Sequence, residues 1–496
     1  MRTIKIFFMA ALALMTAACS NDDNELTPSE QPAKAGGITI TAQLAPKSSV
    51  SGTRAVEDKS TYIESKWAVD EHLAILYTKD GNQMADARIK SVDASGNATI
   101  EFTVVEGTAD NTYCEIIYPY SAARTDKSGR KSNSALLSNQ DGTLSANLDV
   151  RYGAGKIQVT TPGLDVTTQP QAQFAIWKLT TPSAKDLYIT ANGVLIAGAT
   201  LASAGTEFTV AVPQFVNQTI AVVANDESNN CYYYSKAGVS LDAGKYYQSS
   251  PTMAALDEDN TKGVYKMTGA GDIPAGKTVV LSGVTISSGS IICSGNANII
   301  LMGDNKVTAA NYTAAIKIGG SGTTLTITGS GSLTAKGGYG GAGIGTDKVD
   351  PGTLSFGNIV INGGTVTATG GDYGAGIGTG YAIGSIGAAS ITCGDITING
   401  GKVTATGGGW AAGIGTGGSV KKNYTASNKC GAITIGTGVT SVTATKGSGS
   451  PNSIGKGYKN ELSGGGTQTC GTITIGGVVK DQSEFTGATY TYTPSN

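Results

Sequence analysis

Aromatic residues recur at one fixed position in the glycine-rich second half of the chain. Tyr312, Tyr373 and Trp410 each stand four residues before an isoleucine, and Tyr339 stands five before because one glycine has been added. Aromatic rings suit contact with a sugar ring or with an apolar protein surface. If equivalent residues stack from coil to coil, the four rings form a strip about 15 Å long. The sequence leaves open whether this strip contacts a ligand or only stacks on itself to cover a corner.

Cysteines recur in the same way. Cys393, Cys430 and Cys470 each precede a glycine and then an isoleucine-containing strand, and Phe356 takes the same place one repeat earlier. Equivalent residues of adjacent coils lie about 4.8 Å apart, a spacing compatible with a disulfide between two of the three cysteines. A column of free thiols packed as small apolar residues is the alternative. No histidine or acidic cluster accompanies these thiols, so we expect no metal site.

The acidic residues do not form a recognisable catalytic cluster. Nine are scattered between residues 263 and 496, a segment with no arginine. Asp347, Asp350 and Asp372 could approach one another across adjacent loops, but isolated surface carboxylates are the simpler interpretation. His72, the only histidine, lies outside this segment, which excludes a histidine-based triad within it. The sequence therefore predicts a protein without enzymatic activity and without a cofactor. A polysaccharide-acting β-helix enzyme, lyase or hydrolase, is the alternative.

These residues lie on an internal repeat. Segments 298–319, 324–345, 358–378, 395–415 and 432–455 fit one template of three short strands, and the isoleucines of the third strand are separated by 28, 33, 37 and 40 residues. The added residues follow each third strand. Repeats that keep their strands and lengthen at one corner are typical of solenoids. We predict a parallel β-helix of at least five coils over 263–496, whose C-terminal tail either caps the last coil or is donated to another subunit.

The composition indicates an all-β protein with more than one core. The 496 residues include 71 glycines, and only 15% are charged, which disfavours helices. Short alternating runs before the repeats predict β-sandwiches at 37–155 and 156–250, followed by a linker at 251–262. The net charge of −2 gives no field that would attract nucleic acid.

The N-terminus resembles a bacterial lipoprotein signal. Arg2 and Lys5 precede a short apolar run, and two alanines lead into Cys19. We expect residues 1–18 to be the signal peptide, Cys19 to carry the lipid and residues 19–36 to form a tether. The predicted location is the outer face of the outer membrane, held by the lipid anchor.

The first half resembles the fimbrillin family of Bacteroidales pilus lipoproteins over residues 37–253. The resemblance rests on TRAVEDKSTYIESKWAVDEHLAILY (53–77), YCEIIYPYSAA (113–123) and LDAGKYYQSSPTM (241–253). It implies two sandwiches, cleavage between Arg54 and Ala55 by an arginine-specific protease, and strand exchange with other fimbrial subunits. An ordinary loop arginine at position 54 is the alternative.

Taken together, these features predict a lipid-anchored surface protein, either a fimbrial tip or accessory subunit or a stand-alone adhesin. The β-helix would contact a glycan or a surface protein of a host or another bacterium. A purely structural surface spacer without a ligand is a further alternative.

Overall fold

The computed structural model describes residues 37–47, 66–124, 127, 129–131, 136–137, 140–143, 148–192, 194–228, 230–459 and 467–494. The predicted fold class is confirmed, because the described residues form two β-sandwiches followed by a parallel β-helix. Alternation of apolar and polar residues produces the strands, since successive side chains of a strand point to opposite faces.

The first sandwich is one seven-stranded antiparallel sheet in the order β1-β4-β3-β2-β5-β6-β7. Its two edge strands, β1 and β7, lie against each other, so the sheet wraps around its own core. A short 3-10 helix, Tyr120–Ala122, follows the fifth strand. The strands are β1 Ile38–Leu44, β2 His72–Thr78, β3 Asn82–Val92, β4 Ala98–Val104, β5 Thr112–Tyr118, β6 Arg151–Gln158 and β7 Gly163–Ala172.

The second sandwich is built on two long strands, β8 and β9, that pair along most of their length. The first part of β8 also pairs with β12, and its last part pairs with β10. The strands are β8 Phe174–Ala191, β9 Val194–Pro213, β10 Phe215–Asn225, β11 Cys231–Leu241, β12 Tyr246–Ser249 and β13 Ala254–Ala255.

The division predicted at 155/156 falls inside β6, and the first sheet continues to Ala172. Glycine in β6 allows close packing of the two backbones. A Cβ on Gly153 would lie 2.6 Å from the Thr168 carbonyl oxygen of β7. The predicted linker is also part of the fold, because Ala254–Ala255 pairs with β11 and Leu256 is buried.

Over the described residues, the β-helix has six coils that each carry a strand on three faces. The first face contains Val264–Lys266, Lys277–Ser282, Ala297–Met302, Thr324–Gly329, Asn358–Ile361, Ile396–Ile398, Ile433–Ile435, Ile473–Ile475 and the antiparallel Val478–Lys480. The second contains Thr285–Ile286, Asp304–Thr308, Ser332–Lys336, Thr365–Thr369, Gly401–Thr406, Val439–Thr445 and the antiparallel Thr489–Tyr492. The third contains Gly271–Ile273, Ile291–Cys293, Ile316–Lys317, Ile344–Gly345, Ile377–Gly378, Ile414–Gly415 and Ile454–Gly455.

The residues added after each third strand form sheets of their own. One contains Gly352–Ser355, Ala389–Cys393, Ala426–Cys430 and Thr467–Cys470, and a second pairs Ala382–Gly384 with Ser419–Lys421. The residues added at one corner therefore build extra sheets along the β-helix. The four-stranded one is called the side sheet below.

Equivalent isoleucines stack as the repeat predicted, with Ile316, Ile344, Ile377, Ile414 and Ile454 in register and fully buried. The next position is a glycine in the last four coils, with φ between 107° and 146°. At Gly378 a Cβ would lie 1.9 Å from the carbonyl oxygen of Gly415, so the backbone of the next coil occupies that space. The Ile-Gly repeat thus combines an inward side chain with a close contact between coils.

The C-terminal tail caps the β-helix. Thr489–Tyr492 pairs antiparallel with Val439–Thr445 of the last coil, and a 3-10 helix, Gln482–Phe485, buries Phe485 over the end of the tube. Of the two roles that the sequence left open for the tail, the structure has the capping one. A cap protects the unpaired edges of the final coil.

The three units pack on one another. Leu76 and Ile117 of the first sandwich share a cluster with Phe174 and Tyr246 of the second. A further cluster joins the second sandwich to the first coils through the residues Tyr188, Val223, Cys231, Leu256, Val264, Val280, Ile300 and Met302. The outer surface of the first face is therefore an interface in these coils, which leaves the opposite corner uncovered by the sandwiches.

Candidate ligand-contact site

The four predicted rings lie side by side at the corner between the second and third faces. The ring centroids of Tyr312 and Tyr339 are 5.9 Å apart, those of Tyr339 and Tyr373 are 6.2 Å apart, and those of Tyr373 and Trp410 are 6.0 Å apart. The first two pairs meet edge to face, and the third is nearly parallel. Both arrangements are favourable for aromatic pairs, at about 0.5–1.5 kcal/mol each. These four residues are called the aromatic row below.

The backbone beneath the row is held in an uncommon conformation. Tyr312 and Tyr373 have φ values of 73° and 67°, in the left-handed region that bulky residues rarely adopt. In the coil between them, Gly340 takes this conformation at 76°. Tyr339 stands one position earlier, yet its ring reaches the same line. Conformations of this kind cost about 1–3 kcal/mol each and cluster at functional sites, which makes this corner a candidate site.

Two further tyrosines extend the row, and the sequence analysis missed both. Tyr381 stacks on Tyr373 with centroids 4.3 Å apart, and Tyr458 lies 4.6 Å from Trp410. The signal was present in the sequence, because each tyrosine follows a third-strand isoleucine by four residues. In both cases the backbone N–H bonds to a carbonyl oxygen of the preceding coil, Gly340 for Tyr381 and Trp410 for Tyr458.

Exposure separates the rings into two groups. Tyr312, Tyr339 and Trp410 are 53%, 41% and 38% exposed, whereas Tyr381 is only 4% exposed. Tyr373 is half-buried, with one face against Tyr381. Burial raises the pKa of the Tyr381 hydroxyl. The inner tyrosines therefore pack beneath the outer rings, which are open to solvent.

A cation lies at one end of the row. The Lys348 ammonium is 4.5 Å from the centroid of the Tyr312 ring, a cation–π contact. The stem of Lys348 passes over Gly340, where a Cβ would lie 3.1 Å from it. Asp372 is exposed beside Tyr373. The surface is thus aromatic along its length with isolated charges at its borders.

Two of the three carboxylates considered in the sequence analysis, Asp347 and Asp350, have separate local partners. Asp347 accepts a hydrogen bond from the Ala314 N–H at 2.8 Å and pairs with Lys317 at 2.7 Å. Asp350 accepts hydrogen bonds from the backbone N–H and the hydroxyl of Ser385. Within the described ranges, no group of three or more histidine, cysteine or acidic residues is arranged to hold a metal ion.

A polar cleft of about 520 Å³ lies between the second sandwich and the first coils. Two of its acidic residues are also locally bonded. Asp186 accepts from the Thr200 hydroxyl at 2.7 Å, and Asp304 accepts from the Ser332 hydroxyl at 2.7 Å. One of these bonds lies within the second sandwich and the other within the β-helix, so both carboxylates have structural partners.

The three predicted cysteines occupy one column of the side sheet. Cys393 is in register with Cys430, and Cys430 is in register with Cys470. All three are free thiols. Cys393 and Cys430 are buried, and Cys470 is partly exposed. Phe356 takes the equivalent place one coil earlier, where its N–H bonds to the carbonyl oxygen of Thr392.

The remaining predicted sites, Cys19, Arg54 and Ala55, lie outside the described residues. In the part of the chain that the structure covers, no helix has the length and apolarity needed to cross a membrane.

Comparisons with known proteins found one matching family model and several similar solved structures. The Beta helix repeat family model matches residues 325–347, 359–381 and 396–418, which are three of the coils. No curated protein sequence matches the chain.

Among solved structures, the chain is similar to a fimbrial protein from Bacteroides ovatus, with 12% identity and a TM-score of 0.22 over 43% of this chain and 48% of that one. The chain thus spans about half the length of that protein. It is also similar to a proposed cell adhesion protein from Bacteroides fragilis, with 12% identity and a TM-score of 0.27 over 44% of this chain and 96% of that one. A proposed cell adhesion protein from Bacteroides ovatus has 14% identity and a TM-score of 0.23, over 43% and 95%.

Proposed function

We propose that this chain is a cell-surface adhesin whose β-helix contacts a glycan through the aromatic row. The observation that carries the proposal is the continuous line of rings at a corner that the sandwiches do not cover. Three of its rings, those of Tyr312, Tyr339 and Trp410, are more than a third exposed. The left-handed backbone at Tyr312 and Tyr373 supports the same conclusion, because strained backbone of this kind clusters at functional sites.

A glycan is a better match for this surface than an apolar patch on a partner protein. The rings recur in steps of 5.9, 6.2 and 6.0 Å, so the site offers the same kind of contact several times along one line. A linear polymer of similar units can engage such contacts together, and linked contacts strengthen one another through effective concentration. The separate carboxylates favour binding without cleavage.

The proposed arrangement on the cell follows the order of the chain. Lipid on Cys19 and the tether 19–36 hold the sandwiches near the outer membrane, and the β-helix projects outward with its row. Cleavage after Arg54 would remove β1, and another fimbrial subunit could then fill its place by strand exchange. Assembly as a tip or accessory subunit belongs to this part of the proposal.

The N-terminus of protein extracted from the cell surface tests this arrangement. We expect mass spectrometry to find a lipidated Cys19, a fraction that begins at Ala55, or both. If all of the extracted protein begins at lipidated Cys19, processing at Arg54 is wrong and the anchor stands. If neither terminus occurs, both steps are wrong.

The glycan proposal is tested by replacing two exposed rings at once, Tyr339→Ala with Trp410→Ala. Loss of two anchors is expected to weaken binding to glycans retained by the wild type at least about tenfold, which is about 1.4 kcal/mol. A glycan array followed by titration of the retained glycans measures this. Matched controls are Tyr424→Ala and Tyr113→Ala, which remove rings that are 49% and 59% exposed. Tyr113 lies in β5 of the first sandwich, and Tyr424 lies between the strands Ser419–Lys421 and Ala426–Cys430.

Three outcomes would contradict the proposal. One is a wild-type chain that retains no glycan, and another is a double variant that binds as well as the wild type but unfolds more easily. The second would mean that the rings only stack on one another. The third is release of unsaturated products from uronic-acid polymers, which would identify an enzyme.

A further inference from the structure

The side sheet brings two thiols with different environments into contact. Cys430 and Cys470 end neighbouring parallel strands in register, so their side chains lie next to each other on the same face of the sheet. Cys430 is 1% exposed, whereas Cys470 is partly exposed on the last strand of the sheet. One thiol of the pair can therefore meet a small molecule from solution, and the other is held behind it.

We propose that Cys430 and Cys470 form a thiol pair that a hydroperoxide oxidises, with Cys470 as the reacting sulfur and Cys430 as the resolving one. This inference does not depend on the proposed function of the aromatic row. The modified residue, Cys470, is the last cysteine of the column and lies on the outermost strand of the side sheet, Thr467–Cys470.

The environment of Cys470 favours the reactive form of its sulfur. The hydrogen bond with Cys430, together with the nearby Lys456 ammonium, lowers the pKa of the Cys470 thiol from its ordinary value. The same hydrogen bond, followed by burial, raises the pKa of Cys430. Since the thiolate is the nucleophile, oxidation begins at Cys470.

Cys393 has the same register with Cys430 but a different chemistry. Its thiol donates to the carbonyl oxygen of Gly357 at 3.9 Å, and burial raises its pKa to about 12. It is 1% exposed and has a paired strand on each side. It is therefore shielded from the oxidant and remains a thiol.

The reaction balances in two steps. The Cys470 thiolate attacks one oxygen of the hydroperoxide and the O–O bond breaks, which leaves a sulfenic acid on Cys470 and, after protonation, an alcohol or water. The Cys430 sulfur then attacks the Cys470 sulfur, the S–O bond breaks, and one water leaves as the disulfide forms. The hydroperoxide is reduced and the two thiols are oxidised.

The strand geometry makes this disulfide reversible. Neighbouring strands are about 4.8 Å apart, whereas the Cβ atoms of a disulfide prefer about 3.8 Å. The bond must draw the outer strand, Thr467–Cys470, inward, and strained disulfides are the more easily reduced ones. Among the described strands it pairs on one side only, so it is the strand expected to move.

The test treats the full chain with hydrogen peroxide, blocks the remaining thiols with iodoacetamide and maps the peptides by mass spectrometry without reduction. A peptide pair joined through Cys430 and Cys470 is expected in the wild type and in Cys393→Ser, and dithiothreitol should reverse it. In Cys430→Ser, the sulfenic acid should persist on Cys470 and be trapped by dimedone.

Two results would overturn the inference. The first is a disulfide between Cys393 and Cys430 in the wild type. The second is a Cys470 that iodoacetamide still labels in full after peroxide treatment. Both are read from the wild-type chain, so the test does not depend on the folding of a variant.

Discussion

The first sandwich and the β-helix hold their strands by different means. In the sandwich, a single cluster of one lysine, two carboxylates and two aromatic rings holds the end of β1. The Lys47 ammonium lies 3.3 Å from Glu71 and 3.4 Å from Asp149, and it is 4.4 Å and 3.8 Å from the ring centroids of Trp67 and Tyr118. Its side chain is only 2% exposed, and burial lowers the pKa of this lysine.

The β-helix instead repeats small contacts from coil to coil. The glycine column at Gly345, Gly378, Gly415 and Gly455 lets backbones approach closely. Beside it, the buried hydroxyls of Thr346, Thr379 and Thr416 each accept a hydrogen bond at 2.8 Å from a glycine N–H of the next coil. A repeated contact distributes stability along the chain, whereas a single cluster concentrates it.

The largest effect is expected where a repeated contact has no space to adjust. Gly378→Ala places a methyl group 1.9 Å from the Gly415 carbonyl oxygen, at a φ of 134°. Strain and overpacking together should lower the free energy of unfolding by about 4 kcal/mol. Chemical denaturation measures the loss, and hydrogen exchange should place it in the coils on either side.

Gly320→Ala is the matched control, since a Cβ there meets nothing within 4 Å. Equal destabilisation by the two substitutions would show that the close contact between coils is not what makes the glycine column necessary.

A smaller loss is expected from breaking the single cluster of the sandwich. Lys47→Met keeps much of the apolar stem but leaves Glu71 and Asp149 without that cation, which should cost about 3 kcal/mol because these carboxylates are mostly buried. Hydrogen exchange should then rise in β1 and remain unchanged in the β-helix. That difference would separate the two modes of stabilisation.

Lys79→Met is the comparison for Lys47, because Lys79 pairs at 2.7 Å with Asp80, whose side chain is 84% exposed. An exposed pair contributes about 0–1 kcal/mol. If Lys47→Met lowers the free energy of unfolding as little as Lys79→Met does, the cluster does not hold β1.

The smallest effect is expected from one member of the hydroxyl column. Thr379→Val keeps the shape but removes the acceptor of the Gly417 N–H, at a cost of about 1–2 kcal/mol. Faster exchange of the Gly417 amide is the direct measurement. Thr404→Val, at a partly exposed position of the second face, should change stability little. No difference between the two would make the hydroxyl column irrelevant.

The sequence predicted the aromatic row because its members stand at one template position. The added glycine shifts Tyr339 by one position from the template, and its ring still contacts Tyr312 and Tyr373. Tyr381 and Tyr458 were missed because they follow the third strand, in the segment whose length varies. Comparing residues by their distance after the isoleucine, as well as before it, would have found both.

The sandwiches were less predictable in detail. The predicted boundary at 155/156 falls inside β6, where Gly153 and Gly155 let β7 pass closely. Lys47 was not singled out, because its partners come from segments distant in the chain. A lone lysine carries no sign in the sequence that it will be buried.

The sequence by itself determined the β-helix, the coil-to-coil order of its rings and the register of its cysteines. This was possible because each coil pairs with the next, so a repeated position becomes a column in space. Only the tertiary structure decided that the tail caps the last coil, that the first face packs on the second sandwich and that Lys47 closes the end of β1. Those contacts join segments that are far apart in the sequence and share no repeat pattern. They form because apolar and charged groups of these segments pack together in the folded chain.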